Sequence, residues 1–398
     1  MPEPFDILIV CPSLLEPGTQ RGGGIEEIDH KMGLFLSEHL NATIIGPSIR
    51  REKGRRTIDR GLSFYYLRFP AMKKYLPLTI LDQIVLNVFL LPAYSFLLCI
   101  RILRMIRGER KTILIIHNGF PGFAGLIAAR ISSKKILFAE GNTYPWVLPL
   151  LFNRNNSILR RSSIYVNTMI GRLICEYSDC IRTQSESIRL GMIEKGIAPS
   201  KINVVSAGVD VDSFSANIMN PVNQLPMRVG FVGRLTEEKG ASLLLEIIKE
   251  AKILMPDIRF VIMGDGPYRD EIIAQDNVES AEFVNRNELP SRLSGVDVIL
   301  FFQNEIGLAE LEAMAAGKAI VACKAGEMSD RLEDGKTAIL VSPNINGFIS
   351  AITRLRIDVE LRNTLSRNAR IFVSENYDWK KIGETWLKLI SKCADSRN

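Results

Sequence analysis

Two cations stand close together after an apolar run in the second half of the chain, Arg234 in Gly233-Arg234-Leu235 and Lys239 in Glu237-Glu238-Lys239-Gly240. Arginine gives paired, charge-assisted bonds to phosphate oxygens and lysine acts as a mobile point charge, so the pair suits a phosphorylated ligand. A surface ion pair with Glu237 or Glu238 is the alternative. A second anion-binding device follows in Asn304 to Gly326, where strand, tight turn, helix and strand succeed one another. Gly307 lets backbone approach a ligand closely, and the helix after it offers unpaired N–H groups and a positive dipole end. Ile306, Gly307 and Leu308 form that turn, and Glu312 is a carboxylate on a helix otherwise built of small and aliphatic residues. If one sheet brings both devices together, they describe a diphosphate site. Gly264, in Met263-Gly264-Asp265-Gly266-Pro267, ends another strand and could admit a flat ring, although a plain turn is the stronger reading.

The first half carries thinner signals. Gly22-Gly23-Gly24 follows the apolar run Ile7 to Val10 and precedes a helical stretch. Gly23 and Gly24 would let backbone come against a ligand, but the triplet is not the dinucleotide fingerprint and a flexible loop explains it equally well. His117 and Glu140 end the runs Thr112 to His117 and Lys135 to Glu140, where ligands of parallel sheets collect. The alternative for both is a hydrogen-bonded loop residue.

The elements that must hold these residues alternate between apolar runs and helical periods, the pattern of parallel, doubly wound α/β sheets. A chain of 398 residues that is 46% hydrophobic has material for two cores. The linker-like stretch 215–227, rich in Asn, Pro and Gln, divides an N-terminal domain at 1–214 from a C-terminal one at 215–375. The chain closes with a helix pair in which Tyr377, Trp379, Trp386 and Leu389 could pack against either domain, and residues 376–398 read as a helical segment packing back on the N-terminal one. Strands near Ala42 to Ile45 and Ser63 to Arg68 are separated by the charged segment Arg50 to Arg60.

Residues 1–210 hold 27 Lys/Arg against 17 Asp/Glu, and the remainder 23 against 27, so the basic half invites an anionic partner. No zinc finger, RNP motif or basic-aromatic repeat favours nucleic acid. Six cysteines without a C-x-x-C pair suggest neither a disulfide framework nor a zinc site and fit a reducing cytoplasm. No basic region precedes an apolar one at the start, so no signal peptide is expected. Ile84 to Ile100 is almost continuously apolar, is broken by Asn87, Pro92 and Ser95, and leads into Arg101, Arg104 and Arg107. It reads either as a helix on an anionic membrane surface, at the inner face of the membrane, or as a buried helix with a solvated basic end.

These motifs together resemble the family 4 glycosyltransferases of the two-Rossmann GT-B architecture. The resemblance runs from the glycine loop through Gly208-Val209-Asp210 with Phe214, Gly233-Arg234, Lys239-Gly240 and Gly264-Asp265-Gly266 to Gly307-Leu308 and Leu311-Glu312-Ala313-Met314-Ala315. It implies two Rossmann-like domains facing across a cleft. It also implies transfer of a sugar from a nucleoside-diphosphate sugar to a glycan, lipid-linked or small-molecule acceptor, with retention of configuration and neither metal nor cofactor. Arg234 and Lys239 match the donor-diphosphate positions, Gly307 and Leu308 the turn at the β-phosphate, and Glu312 the carboxylate on ribose. Two departures bear on the sugar and acceptor. Asn304 stands where the family's Glu, seven residues, Glu pattern has its first glutamate, and Glu140-Gly141-Asn142 stands where many relatives have His-Gly. Asn304 could still bond sugar hydroxyls or serve as an N-cap. Glu140 could orient or deprotonate an acceptor, and His117 resembles the first histidine of the family's His-x-His. A silent sugar-nucleotide-binding scaffold, an epimerase or a phosphorylase remain as alternatives. So does a metal-dependent transferase through Asp210-Val211-Asp212, against which its linker position and the Arg/Lys pair both argue.

Overall fold

The computed structural model describes residues 5–12, 24–48, 56–70, 89–108, 110–139, 157–214, 226–285 and 287–396. It divides into two α/β units, one of Met1–Ser206 with Ile382–Asn398 and one of Ala207–Lys381. The first unit's sheet comprises β1 (Asp6–Val10), β2 (Asn41–Ser48), β3 (Arg56–Asp59), β4 (Leu62–Pro70), β5 (Thr112–Ile116), β6 (Lys135–Ala139), β7 (Cys180–Thr183) and β8 (Ile202–Val204). Their order is β3-β4-β2-β1-β5-β6-β7-β8. Every pairing is parallel except β3 with β4. That hairpin turns through Arg60 and Gly61, both at positive φ, as a two-residue turn between right-twisted strands requires. The charged segment expected merely to separate two strands therefore contributes one, because its last residues pair along β4.

β1 and β5 read as unbroken apolar runs because helices cover both faces of a parallel sheet. The helix Leu91–Met105 turns Tyr94, Leu98 and Ile102 inward at helical spacing and leaves Phe96, Leu97 and Arg104 outside. Its buried side resolves half of the apolar-run question, since one face belongs to the core. Residues 84–88 of that run lie outside the described residues. Among the described residues no helix is long and apolar enough to cross a membrane.

The second unit holds β9 (Arg228–Val232), β10 (Arg259–Met263), β11 (Val278–Glu282), β12 (Val298–Phe301), β13 (Ala319–Cys323) and β14 (Ile339–Val341). The order is β11-β10-β9-β12-β13-β14, all parallel. Strand order reverses between β9 and β12, as it does between β1 and β5 in the first sheet, and each pair forms a topological switch point.

The units part at Ala207 rather than near 215, because the Val209 N–H bonds the Tyr377 carbonyl and Val211 and Phe214 are buried in the second unit. The closing helix Trp379–Asp395 begins on the second unit, where Gly208 abuts the Trp379 indole. From Ile382 it belongs to the first: Gly383 lies against the Phe35 ring, and Trp386 is buried with the Arg182 guanidinium 5.3 Å from its ring. Of the four residues left open between the domains, Tyr377 and Trp379 fall in the second unit and Trp386 and Leu389 in the first.

Candidate functional site

The chain leaves β9 through Gly233-Arg234-Leu235, and this loop rests on the turn after β10. Gly233 and Leu235 donate their N–H groups to the carbonyls of Met263 and Asp265 at 3.1 and 2.9 Å. A Cβ on Gly264 would fall 1.9 Å from the Gly233 carbonyl oxygen. The glycine is therefore accounted for by the chain's own backbone, in favour of the turn reading over the flat-ring one. Beyond the loop, Gly240 takes a left-handed conformation at φ +77 and starts the helix Ala241–Leu254. A Cβ there would lie 2.5 Å from Cβ of Phe302, which itself packs against Phe348 with ring centroids 4.7 Å apart. This contact clamps the cationic loop to the end of β12 and brings together two segments some sixty residues apart in sequence.

Lys239 Nζ consequently donates to Gln303 Oε1 at 2.5 Å. Burial holds the Lys239 ammonium below the ordinary lysine value, and the Glu310 carboxylate is the strongest influence acting the other way. Arg234 is exposed and donates to the Glu238 carboxylate one helical turn on. Such an exposed pair is worth roughly 0–1 kcal/mol, so it holds the guanidinium only weakly.

The helix Leu308–Ala315 has Gly307 as its N-cap residue. Asn304 is exposed and stands three residues earlier, so its N-cap reading is wrong; its carbonyl accepts the Met328 N–H at 3.3 Å. That close approach uses Gly326, at φ +52, where a Cβ would lie 2.7 Å from the Asn304 carbonyl oxygen. Two buried carboxylates occupy part of the turn: Glu310 Oε2 accepts the Gly307 N–H at 3.0 Å, and Glu327 Oε2 accepts the Ile306 N–H at 3.1 Å. Burial raises both carboxyl groups above the usual range, opposed in Glu310 chiefly by the charge of Lys239 and in Glu327 by the Ile306 N–H. The N–H groups left for an anion are those of Leu308 and Ala309, which no intrahelical carbonyl reaches. Glu312 lies one turn further along and is buried.

The switch point of the first unit is built differently. His117 follows β5 and is buried; its Nδ1 donates to the Ala139 carbonyl at 2.8 Å, while Nε2 lies 3.0 and 2.9 Å from the two oxygens of Asp29. Asp29 comes from the helix Gly24–Ser37, which starts at the last glycine of the triplet. Both ring nitrogens are thus engaged within the unit, and the geometry offers neither to an acceptor hydroxyl. Gly23 and Glu140 lie outside the described residues. Asp210 and Asp212 belong to turn structure: Asp210 accepts from the Ser213 N–H and hydroxyl, and Asp212 faces Lys380 at 3.9 Å. Among the described residues no group of acidic, His and Cys side chains could hold a metal ion.

A family profile described as Glycosyltransferase Family 4 matches residues 60–213, and one described as Glycosyl transferases group 1 matches 226–358, taking in the body of both units. The chain belongs to the family 4 glycosyltransferases. Similar members include a sulfoquinovosyl transferase of Arabidopsis thaliana, 27% identical over 67% of this chain and 54% of the relative. Another belongs to the human phosphatidylinositol N-acetylglucosaminyltransferase, 23% identical over 93% of this chain and 73% of that protein. The chain thus spans about half the length of the first of these. Sucrose-phosphate synthase from Thermosynechococcus elongatus shares the GT-B fold at a TM-score of 0.73 and 16% identity, covering 98% of each chain. Anabaena HepE, solved with UDP and glucose, does so at 0.70 and 16%, covering 97% of this chain and 99% of that one.

Of the residues the sequence points to, Arg234, Lys239, Gly233, Ile306, Gly307, Leu308 and Glu312 lie around the reversal of a single sheet. Sequence reasoning missed Gln303, Glu310, Glu327 and Asp29. Glu310 had a local signal, since a glutamate three residues after an N-cap can reach back to the cap's backbone N–H, the one half of a capping box that a glycine cap allows. The others act on partners distant in sequence.

Proposed function

We propose that the chain moves a sugar from a nucleoside-diphosphate sugar to an acceptor, with retention of configuration and without a metal. One observation carries this reading: a half-buried Lys239 ammonium, anchored on Gln303, stands near the start of the helix capped by Gly307, whose first N–H groups no intrahelical carbonyl reaches. The bond to the sugar breaks as negative charge builds on the β-phosphate, and pre-placed cations and N–H groups lower that barrier. Arg234 takes the outer phosphate oxygens on leaving Glu238. Glu312 accepts the ribose hydroxyls, and Asn304 faces the sugar as a neutral amide. The departing phosphate serves as base for the acceptor hydroxyl, which suits a first unit whose His117 is already engaged.

The acceptor is a glycan or lipid-linked molecule, a reading supported by the name of the phosphatidylinositol relative and by the exposed Phe96, Leu97 and Arg104 on one helix. Those side chains fit a peripheral contact with an anionic membrane on its cytoplasmic side. Nucleotide release should therefore be acceptor-dependent and indifferent to chelator, and substituting Ala for Arg234 should lower turnover on the order of 100-fold. Unchanged turnover would sink the assignment of the diphosphate site, release without acceptor would point to an epimerase, and chelator sensitivity would reopen metal dependence. Asn304 favours a second reading, a sugar-nucleotide-binding scaffold; calorimetric binding with no turnover on any acceptor would establish that instead.

A further inference from the structure

Two side chains near the Lys239 ammonium, Gln303 and Glu310, are held in a way the diphosphate reading does not require. Gln303 accepts from Nζ at 2.5 Å, and Glu310 is 3% exposed with its carboxylate tied to the Gly307 N–H at 3.0 Å. The other charges facing Lys239 are Glu305 from the turn before that helix and Arg234 and Glu238 from its own loop. Of all these, Glu310 alone is both buried and fixed to the backbone that would meet phosphate.

We propose that Gln303 and Glu310 are positioning residues for Lys239: the amide aims the ammonium, and the carboxylate balances its charge and joins it to the phosphate-facing turn. The inference rests on the transfer reading of the same site. Glu310 touches no substrate. It acts through Lys239 and through the Gly307 N–H, so cation and turn are held as one unit before the donor arrives. Burial already pushes Lys239 toward its neutral form, and the nearby carboxylate opposes that. Removing the carboxylate's charge lowers the ammonium's titration midpoint further, and the alkaline limb of the rate profile must move down in pH with it.

The test uses Glu310→Gln, whose amide oxygen still accepts the Gly307 N–H. Lysines are reductively methylated with carbon-13 formaldehyde, and the Lys239 signal is assigned by its loss in Lys239→Arg. Its midpoint should fall by about one pH unit in Glu310→Gln. The alkaline limb of kcat/KM should fall by the same amount, costing about tenfold in rate above that limb. In Lys239→Arg, whose guanidinium does not titrate in this range, the same change should leave the limb where it is. Gln303→Leu should lower kcat about tenfold at neutral pH with the limb in place. An unmoved midpoint in Glu310→Gln overturns the proposal, as does a pH-independent loss that follows a falling Tm. Absence of transfer by the unaltered protein on every nucleotide sugar, with the midpoint still falling, would sink the transfer reading and leave the Lys239 cradle standing.

Discussion

The two switch points of this molecule have the same topology and opposite chemistry. In the first unit the side chain at the end of β5, His117, is closed between Ala139 and Asp29. In the second the cation beside β12, Lys239, rests on a neutral amide next to helix N–H groups that have no internal partner. Strand order alone therefore does not decide what a strand end leaves available. What distinguishes the two is how much charge and hydrogen-bonding capacity the chain has already satisfied by itself.

The comparison is broken most directly by activity. Lys239→Ala should reduce kcat by roughly 100-fold or more, while Asp29→Asn should change it less than about tenfold at a temperature where both variants are folded. A reversed ranking would move the chemistry to the first unit. Glu312→Ala comes next: loss of a carboxylate that bonds ribose should raise the KM for the nucleotide sugar by about 10- to 100-fold, at 1.5–3 kcal/mol for a charge-assisted bond. An unchanged KM would remove Glu312 from the donor site.

Stability sharpens the contrast from the other side. Asp29→Asn weakens a buried carboxylate–imidazole contact and should lower the unfolding free energy by about 1–3 kcal/mol, read from the urea midpoint. The smallest effect is expected at the exposed Arg234–Glu238 pair. Glu238→Gln should shift stability by less than about 1 kcal/mol while lowering the donor KM a few-fold by freeing the guanidinium. A stability loss as large as that of Asp29→Asn would mean that the guanidinium is already committed to the fold.

The architecture and half of the candidate site were legible in the sequence for the same reason. Buried parallel strands announce themselves as local apolar runs, and Gly233-Arg234, Lys239-Gly240 and Gly307-Leu308 are turns whose chemistry sits in a few adjacent residues. Features that depend on chain ends meeting across the sheet were hidden. The Asp29 carboxylate lies 88 residues from His117, and Gln303 lies 64 from Lys239. Gly264 admitted both a flat ring and, ahead of it, a plain turn, because a glycine reports only that something comes close; the neighbour here is the Gly233 carbonyl. Asn304 invited an N-cap reading because the preference is real, but the helix starts three residues later.

The closing helix, seated on one unit at Trp379 and on the other from Ile382, has a bearing on how the protein is made. Synthesis delivers residues 1–206 first, yet the indole of Trp386 that covers Arg182 emerges only after the entire second unit. The half translated earliest is completed latest, so its sheet must wait on the ribosome with the place for that helix unfilled. The same logic predicts that residues 1–206 produced alone will aggregate, and that adding residues 379–396 as a separate peptide will restore their solubility.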